Sequence, residues 1–166
     1  MSDIKIIALT KGYACLIDAE DFDKVMAVAK RWHASTQGSG IYATTKIRIG
    51  GKQRHQSIHR VVMDAPSEML VDHINHDTLD NRKANLRIVT KQQNQCNVLP
   101  RKGNWSKYKG VCYNTRVNRW VAYINHLGKR EYLGYFNNEM DAAMAYDKAS
   151  IRLHGEFGYR NMDRAA

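Results

Sequence analysis

The stretch VDHINHDTLDNRKANLRIVTKQQNQC (residues 71–96) decides the fold of the central part of this chain. It opens on a short apolar strand that carries the adjacent residues Asp72 and His73. Asn85 then marks a turn into a second apolar strand, and a helix is predicted to follow with Asn94 in its first turn. The pattern therefore predicts a strand–turn–strand–helix unit.

The start of this helix is marked by a capping box, because Thr90 is followed three residues later by Gln93. A hairpin packed against the first helical turn brings Asn94 close to Asp72, although 22 residues separate them along the chain. Carboxylate and amide oxygens are hard ligands of the kind that divalent cations take. His73 stands beside them, and its ordinary pKa near ~6.5 suits proton transfer at neutral pH.

This order of residues, which continues into LRIVTKQQN (residues 86–94), resembles the HNH endonuclease family of the type found in phage and intron-encoded homing enzymes. The resemblance implies a ββα-metal motif that hydrolyses a DNA phosphodiester to 5′-phosphate and 3′-hydroxyl ends. One site per chain favours nicking of one strand. The resemblance assigns His73 as the catalytic base, at a solvent-facing position, and Asp72 and Asn94 as ligands of one Mg²⁺ or Mn²⁺ ion. It makes Asn85 a structural residue that ties the loop together.

Two further histidines lie near this pattern. His59 precedes Arg60 in SIHRVVM, and a His-Arg pair also recurs upstream in this group of HNH sequences. We interpret His59 as a structural residue that braces a helix against the hairpin, and the alternative is an active-site neighbour or a contact with phosphate. The role of His76 stays open. The residues taken as part of the loop are Asp80, Asn81 and Arg82.

Cysteine usage indicates that no zinc supports this motif. Cys15, Cys96 and Cys112 lie far apart and show no C-x-x-C pairing, so neither a disulfide framework nor a cysteine zinc cage is predicted. Many HNH proteins carry zinc-binding cysteine pairs, and this chain departs from them. No structural zinc is expected, and the hairpin must be held by apolar packing and by the flanking parts of the chain.

Composition points to a nucleic-acid partner. The 166 residues carry 26 Lys and Arg against 16 Asp and Glu, which gives a net charge of +10 and a pI near 9.6. Such a surplus points to a polyanionic partner, either nucleic acid or an acidic membrane face. No apolar run reaches the ~18 residues of a spanning helix, and the start lacks a secretory signal. We therefore expect a cytoplasmic protein without membrane contact, and the resemblance implies a phage-infected bacterial host.

The first 56 residues predict a small α+β region. IKIIAL and YACLID have the composition of strands around a turn, and residues 20–32 show helical spacing of apolar side chains. YATTKIRI and the segment 52–58 flank Gly50 and Gly51, where both central positions of a hairpin turn can take positive φ.

Residues 108–162 predict a three-stranded antiparallel sheet packed on one helix. The strand signals are YKGVCYN, RWVAYIN and KREYLGYF, with turns at residues 117–118 and 127–128, and an amphipathic helix over residues 139–154. Residues 101–166 hold 12 basic and 6 acidic side chains, against 14 and 10 in residues 1–100. The C-terminal part is therefore the stronger candidate for holding phosphates.

This C-terminal part resembles the plant APETALA2/ethylene-response-factor DNA-binding domain. The matching landmarks are Lys109-Gly110-Val111, Trp120-Val121-Ala122, Leu133-Gly134-Tyr135-Phe136, Ala142-Ala143, Ala145-Tyr146-Asp147 and Asn161. The resemblance implies that the sheet reads bases in a major groove. Lys109 is expected to bind DNA, and the side chains expected on the outward face of the sheet are Arg116, Arg119, Lys129, Arg130, Tyr113 and Tyr132.

We therefore predict an α+β chain with a small N-terminal α+β region (1–56), a central ββα-metal HNH motif (57–98), a linker (99–107) and a DNA-binding domain (108–162). The predicted activity is that of an HNH homing endonuclease, which acts on double-stranded DNA as a monomer or weak dimer. Two alternatives stay open. One is a DNA-binding regulator with an inactive HNH site, and the other is an RNA-binding or structure-specific protein.

Overall fold

The computed structural model describes residues 3–38, 40–100, 103 and 105–164. The chain divides into two compact units, residues 1–91 and 92–166. Small sheets and short helices are mixed along it, so the predicted α+β class is confirmed. Three residues of the predicted linker, Arg101, Lys102 and Asn104, lie outside the described residues. Within the described ranges, no helix is both long and apolar enough to cross a membrane.

The first unit contains three small antiparallel sheets and short helices. β1 (Ile4–Ala8) pairs with β2 (Ala14–Asp18), β3 (His33–Gln37) and β5 (Lys52–Ser57) flank β4 (Gly40–Ile49), and β6 (Leu70–His73) pairs with β7 (Leu86–Val89). The helices are α1 (Phe22–Val28) and α2 (Ile58–Val62), and α3 (Lys91–Cys96) begins at the last residue of the unit. β6, β7 and α3 follow one another in the predicted strand–turn–strand–helix order.

The N-terminal part of this unit differs from the prediction in its helix. α1 covers only Phe22–Val28 of the predicted residues 20–32, and Trp32 lies beyond it with 2% of its surface exposed. Trp32 enters the core from a non-helical segment, and the chain then forms β3, which the polar sequence HASTQ did not predict. The predicted hairpin is confirmed, because Gly50 and Gly51 join β4 to β5 with φ of 56° and 76°.

One apolar core joins the N-terminal part of the unit to the β6–β7 hairpin. Cys15 and Ile17 from β2, Val25 from α1, Ile58 from α2 and Leu86 from β7 are all buried in it. Burial of one such aliphatic side chain stabilises a fold by about 1.5–3 kcal/mol. The short hairpin is therefore held by packing against the N-terminal residues.

The second unit is a three-stranded sheet packed on one long helix, as predicted. The strands are β8 (Val111–Asn114), β9 (Arg119–His126) and β10 (Lys129–Phe136) in the order β10–β9–β8, and the helix is α4 (Glu139–His154). Asn138 caps α4, because its side chain accepts a hydrogen bond from the backbone N–H of Asp141. The buried residues Ala142, Ala143 and Ala149 let the helix approach the sheet closely.

Candidate active site

β6 and β7 fix the directions of the two central side chains of the motif. Their register pairs Asp72 with Arg87 and His73 with Leu86. Because successive side chains of a strand point to opposite faces, Asp72 and His73 project to opposite sides of the hairpin. One side chain therefore meets a guanidinium, and the other shares a face with a core leucine.

Asp72 takes part in a nearly buried ion pair. The guanidinium of Arg87 donates to Oδ2 of Asp72 from Nε at 3.0 Å and from Nη2 at 2.7 Å. The side chains of Asp72 and Arg87 are only 10% and 12% exposed. Since water screens such a pair little, the negative charge of Asp72 is balanced inside the protein.

His73 is buried, with 4% of its surface exposed, so the prediction of a solvent-facing histidine was wrong. The alternation of the strand turns its side chain toward the face that packs on the core. Burial lowers the pKa of His73, while its hydrogen bond to Asn81 and three nearby aspartates oppose that shift. The net effect is a lowered pKa and a neutral imidazole at neutral pH.

Asn81 determines which nitrogen of His73 carries the proton. The amide Nδ2 of Asn81 donates to the carbonyl oxygen of Leu79 at 3.1 Å, so Oδ1 is the atom that lies 3.2 Å from Nε2 of His73. Because Oδ1 can only accept, this network assigns the hydrogen to Nε2 and the basic lone pair to Nδ1. The sequence predicts only a loop residue at Asn81, because nothing in a polar turn distinguishes it from its neighbours.

His59 from α2 and Tyr42 from β4 pack around His73. The ring centroids of His59 and His73 lie 5.2 Å apart at an interplanar angle of 87°, and the ring of Tyr42 lies 5.7 Å from His59 and 6.0 Å from His73. Burial lowers the pKa of His59 to about 3, and the charges of His73 and Arg60 add to the shift. His59 is therefore neutral and packs directly against the predicted catalytic residue. Tyr42 was absent from the predicted site.

Burial of His59 is expected to make folding stability depend on pH. The unfolded chain takes up the proton near ~6.5, and the folded chain only near about 3. The stabilisation is therefore complete above pH ~6.5 and is lost as the pH falls toward 3, because the unfolded state binds the proton first. At about pH 4.5 we expect a loss of about 2–3 kcal/mol in the free energy of unfolding from this group.

Urea unfolding of the wild type and of His59→Gln at neutral pH and at the acidic pH measures this contribution. The exposed residue His33 provides the control, because His33→Gln should leave the pH dependence unchanged. The same pH dependence in the wild type and in His59→Gln would contradict a half-buried His59 that stays neutral in the folded state.

Asn85 closes the loop between β6 and β7. Its Oδ1 accepts from the backbone N–H of Asn75 at 2.9 Å, and its Nδ2 donates to the carbonyl oxygen of Asp80 at 2.8 Å. Arg82 holds the carboxylate of Asp80 through two hydrogen bonds of 2.7 Å, which lowers the pKa of that carboxyl. These contacts fix the loop that presents Asn81 to the histidine.

The N-terminal strands hold the same loop in place. Leu16 in β2 donates its backbone N–H to the carbonyl oxygen of Leu79 and accepts from the N–H of Asn81, both at 2.8 Å. The hydroxyl of Thr78 donates to the carbonyl oxygen of Ile41 in β4 at 2.6 Å. The first 56 residues therefore support the candidate site directly.

The predicted metal ligands lie in different units. Asp72 and His73 are the last two residues of β6, in the first unit. Asn94 lies in α3, beyond the boundary at residue 91. Their pairing therefore stays a prediction. Over the described parts of the chain, no group of three or more His, Cys, Asp or Glu side chains could hold a metal ion. An aspartate oxygen with an asparagine amide oxygen nonetheless fits a hard cation that keeps water or phosphate oxygens as its other ligands.

In the second unit, one face of the sheet points away from α4 and is basic and aromatic. The register places three of the predicted side chains, all exposed, on this face, namely Arg119, Arg130 and Tyr132. The guanidinium of Arg130 lies over the ring of Tyr123 at 5.4 Å. Tyr132 contacts Tyr123 and Tyr135 at ring distances of 5.9 and 5.5 Å. Tyr123 and Tyr135 thus add to the face that was predicted.

Tyr113 does not lie on this outward face, so its predicted placement was wrong. Its register partner is Trp120, whose side chain packs against the core under α4, and the two rings lie 5.1 Å apart. Side chains that pair directly across two strands share a face, so Tyr113 lies on the helix side of the sheet. The ring of Trp105 stacks on it at 6.2 Å.

The remaining predicted DNA-binding residues lie at other positions of the second unit. Lys109 donates from Nζ to the carbonyl oxygen of Cys96 at 2.8 Å and lies over the ring of Tyr159 at 5.3 Å. Arg116 is exposed in the turn between β8 and β9, and Lys129 is exposed at the start of β10. Lys109 is therefore engaged within the fold. Lys129 pairs with His126, whose ring lies 5.5 Å from that of His154 in α4. The predicted placement of Arg116 and Lys129 on the outward face of the sheet was therefore wrong.

The hairpin with its carboxylate and imidazole, followed along the chain by a helix, has the element order of the ββα class of nucleases. A family profile described as HNH endonuclease matches residues 58–96, which contain α2, β6, β7 and α3. Over 142 residues the chain is 31% identical to the uncharacterized HNH endonuclease L560 of Acanthamoeba polyphaga mimivirus, an alignment that covers 84% of this chain and 71% of that protein. The chain belongs to the HNH endonuclease family.

The alignments with other relatives cover a smaller share of those proteins. The chain is 30% identical over 149 residues to the uncharacterized protein R424 of the same virus, which covers 80% of this chain and 42% of that protein. It is 44% identical over 50 residues to APETALA2-like protein 2 of Oryza sativa, which covers 30% of this chain and 12% of the plant protein. The predicted APETALA2/ethylene-response-factor resemblance is thus confirmed over a fraction of the chain. No solved structure matches significantly.

Proposed function

We propose that this chain is a divalent-metal-dependent homing endonuclease that nicks one strand of double-stranded DNA. The observation that carries the proposal is the buried imidazole of His73, hydrogen-bonded to Asn81 in the hairpin that also carries Asp72. A base whose pKa is lowered is unprotonated at neutral pH, and this is the form that accepts a proton from water. The proposed products are 5′-phosphate and 3′-hydroxyl ends.

His73 is the catalytic base of this proposal. Nδ1 takes the proton of the attacking water, while Nε2 keeps its hydrogen bond to Oδ1 of Asn81. That hydrogen bond and the nearby carboxylates, Asp72 among them, favour the imidazolium that forms. His59 stays neutral beside it and restricts the position of the ring.

Asp72 and Asn94 are the proposed ligands of one Mg²⁺ or Mn²⁺ ion. HNH nucleases generally use divalent metals, and such an ion supplies neutralisation of the charge that develops on the scissile phosphate. Arg87 holds the carboxylate of Asp72 from the Oδ2 side and fixes its orientation.

The outward sheet face of the second unit, with Arg119, Arg130 and Tyr132, is the proposed DNA-reading surface. Basic side chains position the protein on phosphates and reach base edges, and a narrow β-structure fits a major groove. Arg116 and Lys129 are candidates for further phosphate contacts. The similarity to APETALA2-like protein 2 supports DNA binding. We propose that the chain works in the cytoplasm as a monomer or weak dimer.

Incubation of supercoiled plasmid with the purified chain tests the proposal. With Mg²⁺ or Mn²⁺ we expect open-circular DNA as the first product, and DNA ligase should reseal the nick, because ligation requires 5′-phosphate and 3′-hydroxyl ends. Linear DNA as the first product would contradict nicking. Plasmid binding without cleavage in either metal would instead favour the DNA-binding regulator.

Asn81 is expected to act as a positioning residue. Asn81→Leu removes the acceptor for Nε2–H of His73, so the base loses its fixed tautomer, and kcat is expected to fall on the order of 10²-fold at unchanged KM. Asn81→Asp keeps an acceptor oxygen at the same place and should recover most of the rate. Initial rates of plasmid cleavage measure both variants. An equal loss of kcat in the two, at equal stability, would show that the hydrogen bond does not position the base.

A further inference from the structure

The basic charge of the first unit is concentrated in one stretch of sequence. Residues 24–63 hold eight Lys and Arg side chains and no Asp or Glu, whereas the rest of residues 1–91 holds six basic and ten acidic side chains. The net charges of the two portions are therefore +8 and −4. This polarity is hidden when charge is summed over the whole N-terminal half.

The centre of this stretch is a two-stranded ribbon. β3 pairs with β4 only between Gly40 and Thr44, so the remainder of β4 pairs with β5 alone. We call residues 45–56 the basic arm. Its charged side chains are all exposed, and within the described residues none of them forms an ion pair, namely Lys46, Arg48, Lys52 and Arg54.

Both faces of the basic arm carry cations. The register places Lys46 and Arg48 on one face, and Arg54 and Lys52 on the other face, where they pair with Ile47 and Ile49. A ribbon that packs one face on a protein core does not expose cations on both. A ribbon that stands between two rows of phosphates meets negative charge on each side.

The basic arm is continuous with the candidate active site. β4 carries Tyr42, whose ring lies 6.0 Å from that of His73, and β5 leads directly into α2, which carries His59. Seven residues of strand from Tyr42 to Ile49 span ~23 Å at ~3.3 Å per residue. This reach is within one turn of duplex DNA, about 34 Å.

We propose that the basic arm binds the phosphate backbone of duplex DNA, lying in the major groove within one helical turn of the bond to be cleaved. The width of that groove admits a two-stranded ribbon. The placement near the cleaved bond rests on the proposed function, whereas DNA binding by the arm does not. The arm holds the substrate on the first unit, separately from the outward sheet face of the second.

The test compares two variants of the full chain that lose the same charge. K46Q/R48Q/K52Q/R54Q neutralises the basic arm, and the matched control neutralises four exposed lysines outside it, as K5Q/K11Q/K30Q/K148Q. Each variant lowers the net charge from +10 to +6. Affinity for a short duplex of random sequence is measured against salt concentration in the presence of a chelator, so that no cleavage takes place.

The arm variant should reduce the magnitude of the negative slope of log K against log salt by up to about 3.6, because each of the four lost phosphate contacts removes about 0.9 from it. The control should reduce this magnitude by less than about 0.9. The charge-keeping variant K46R/R48K/K52R/R54K should retain the wild-type slope. If the arm variant fails to fold, K46Q/R48Q and K52Q/R54Q each reduce the magnitude of the slope by about half as much.

Equal slopes for the arm variant and the control would overturn the proposal. So would a larger loss of binding to phosphatidylserine vesicles than to DNA, which would make a membrane surface the partner. Because the readout is binding without metal, the outcome does not depend on nuclease activity. A chain that binds DNA through the arm but never cuts plasmid would leave this inference standing and remove the proposed function.

Discussion

Replacing Asp72 by alanine is expected to abolish DNA cleavage and to lower the free energy of unfolding by about 3–5 kcal/mol. The loss of activity follows from its proposed role as a metal ligand. The loss of stability follows from Arg87, whose guanidinium is 12% exposed and donates twice to Oδ2 of Asp72. Without the carboxylate the nearly buried guanidinium loses both of these charge-assisted hydrogen bonds.

The double variant Asp72→Ala/Arg87→Met separates these two effects. Removing both charges should recover most of the stability, because no guanidinium then remains without the carboxylate, whereas cleavage should stay absent. Urea unfolding and plasmid assays on the two single variants and the double variant give the coupling free energy. If the double variant is no more stable than Asp72→Ala, the ion pair is not what holds this site, and a double variant that cuts DNA would exclude Asp72 as a ligand.

Replacing His73 is expected to lower the cleavage rate on the order of 10²–10⁴-fold, the usual contribution of a general base. The suitable change is His73→Gln, because the residue is 4% exposed and an alanine would leave a cavity beside Asn81. DNA affinity should stay at the wild-type value, since the side chain is buried.

Initial rates of plasmid cleavage at saturating metal measure this effect, with circular dichroism to establish folding. His33→Gln, at an exposed position of β3, is the matched control and should cut at the wild-type rate. A folded His73→Gln protein that cuts as fast as His33→Gln would show that another group takes the proton from water.

Local signals predicted much of the fold. The hairpin at Gly50-Gly51, the three strands of the second unit and the helix over residues 139–154 all follow from turn chemistry and periodicity, which act between neighbours in sequence. The end of α1 and the strand β3 did not follow from such signals. Trp32 is drawn into a core whose other members come from distant parts of the chain.

The motif pointed to Asp72 and His73, which share one hairpin, but the side chains that surround them did not follow from it. Asp72 and His73 were identified from their motif, whereas the burial of His73 depends on packing with α2 and β4. Asn81 lies in a loop whose position is set by hydrogen bonds to Leu16, 65 residues before it. Contacts between residues so far apart leave no periodic pattern in the sequence.

The most direct test of the central claim is the relaxation of supercoiled plasmid by the purified wild-type chain, in Mg²⁺ and again in Mg²⁺ with excess EDTA. A metal-dependent HNH endonuclease converts the plasmid to open circles in the first reaction and leaves it supercoiled in the second. Cleavage of equal rate in both reactions would contradict metal dependence. An intact plasmid in Mg²⁺ and in Mn²⁺, with DNA binding retained, would contradict the nuclease itself.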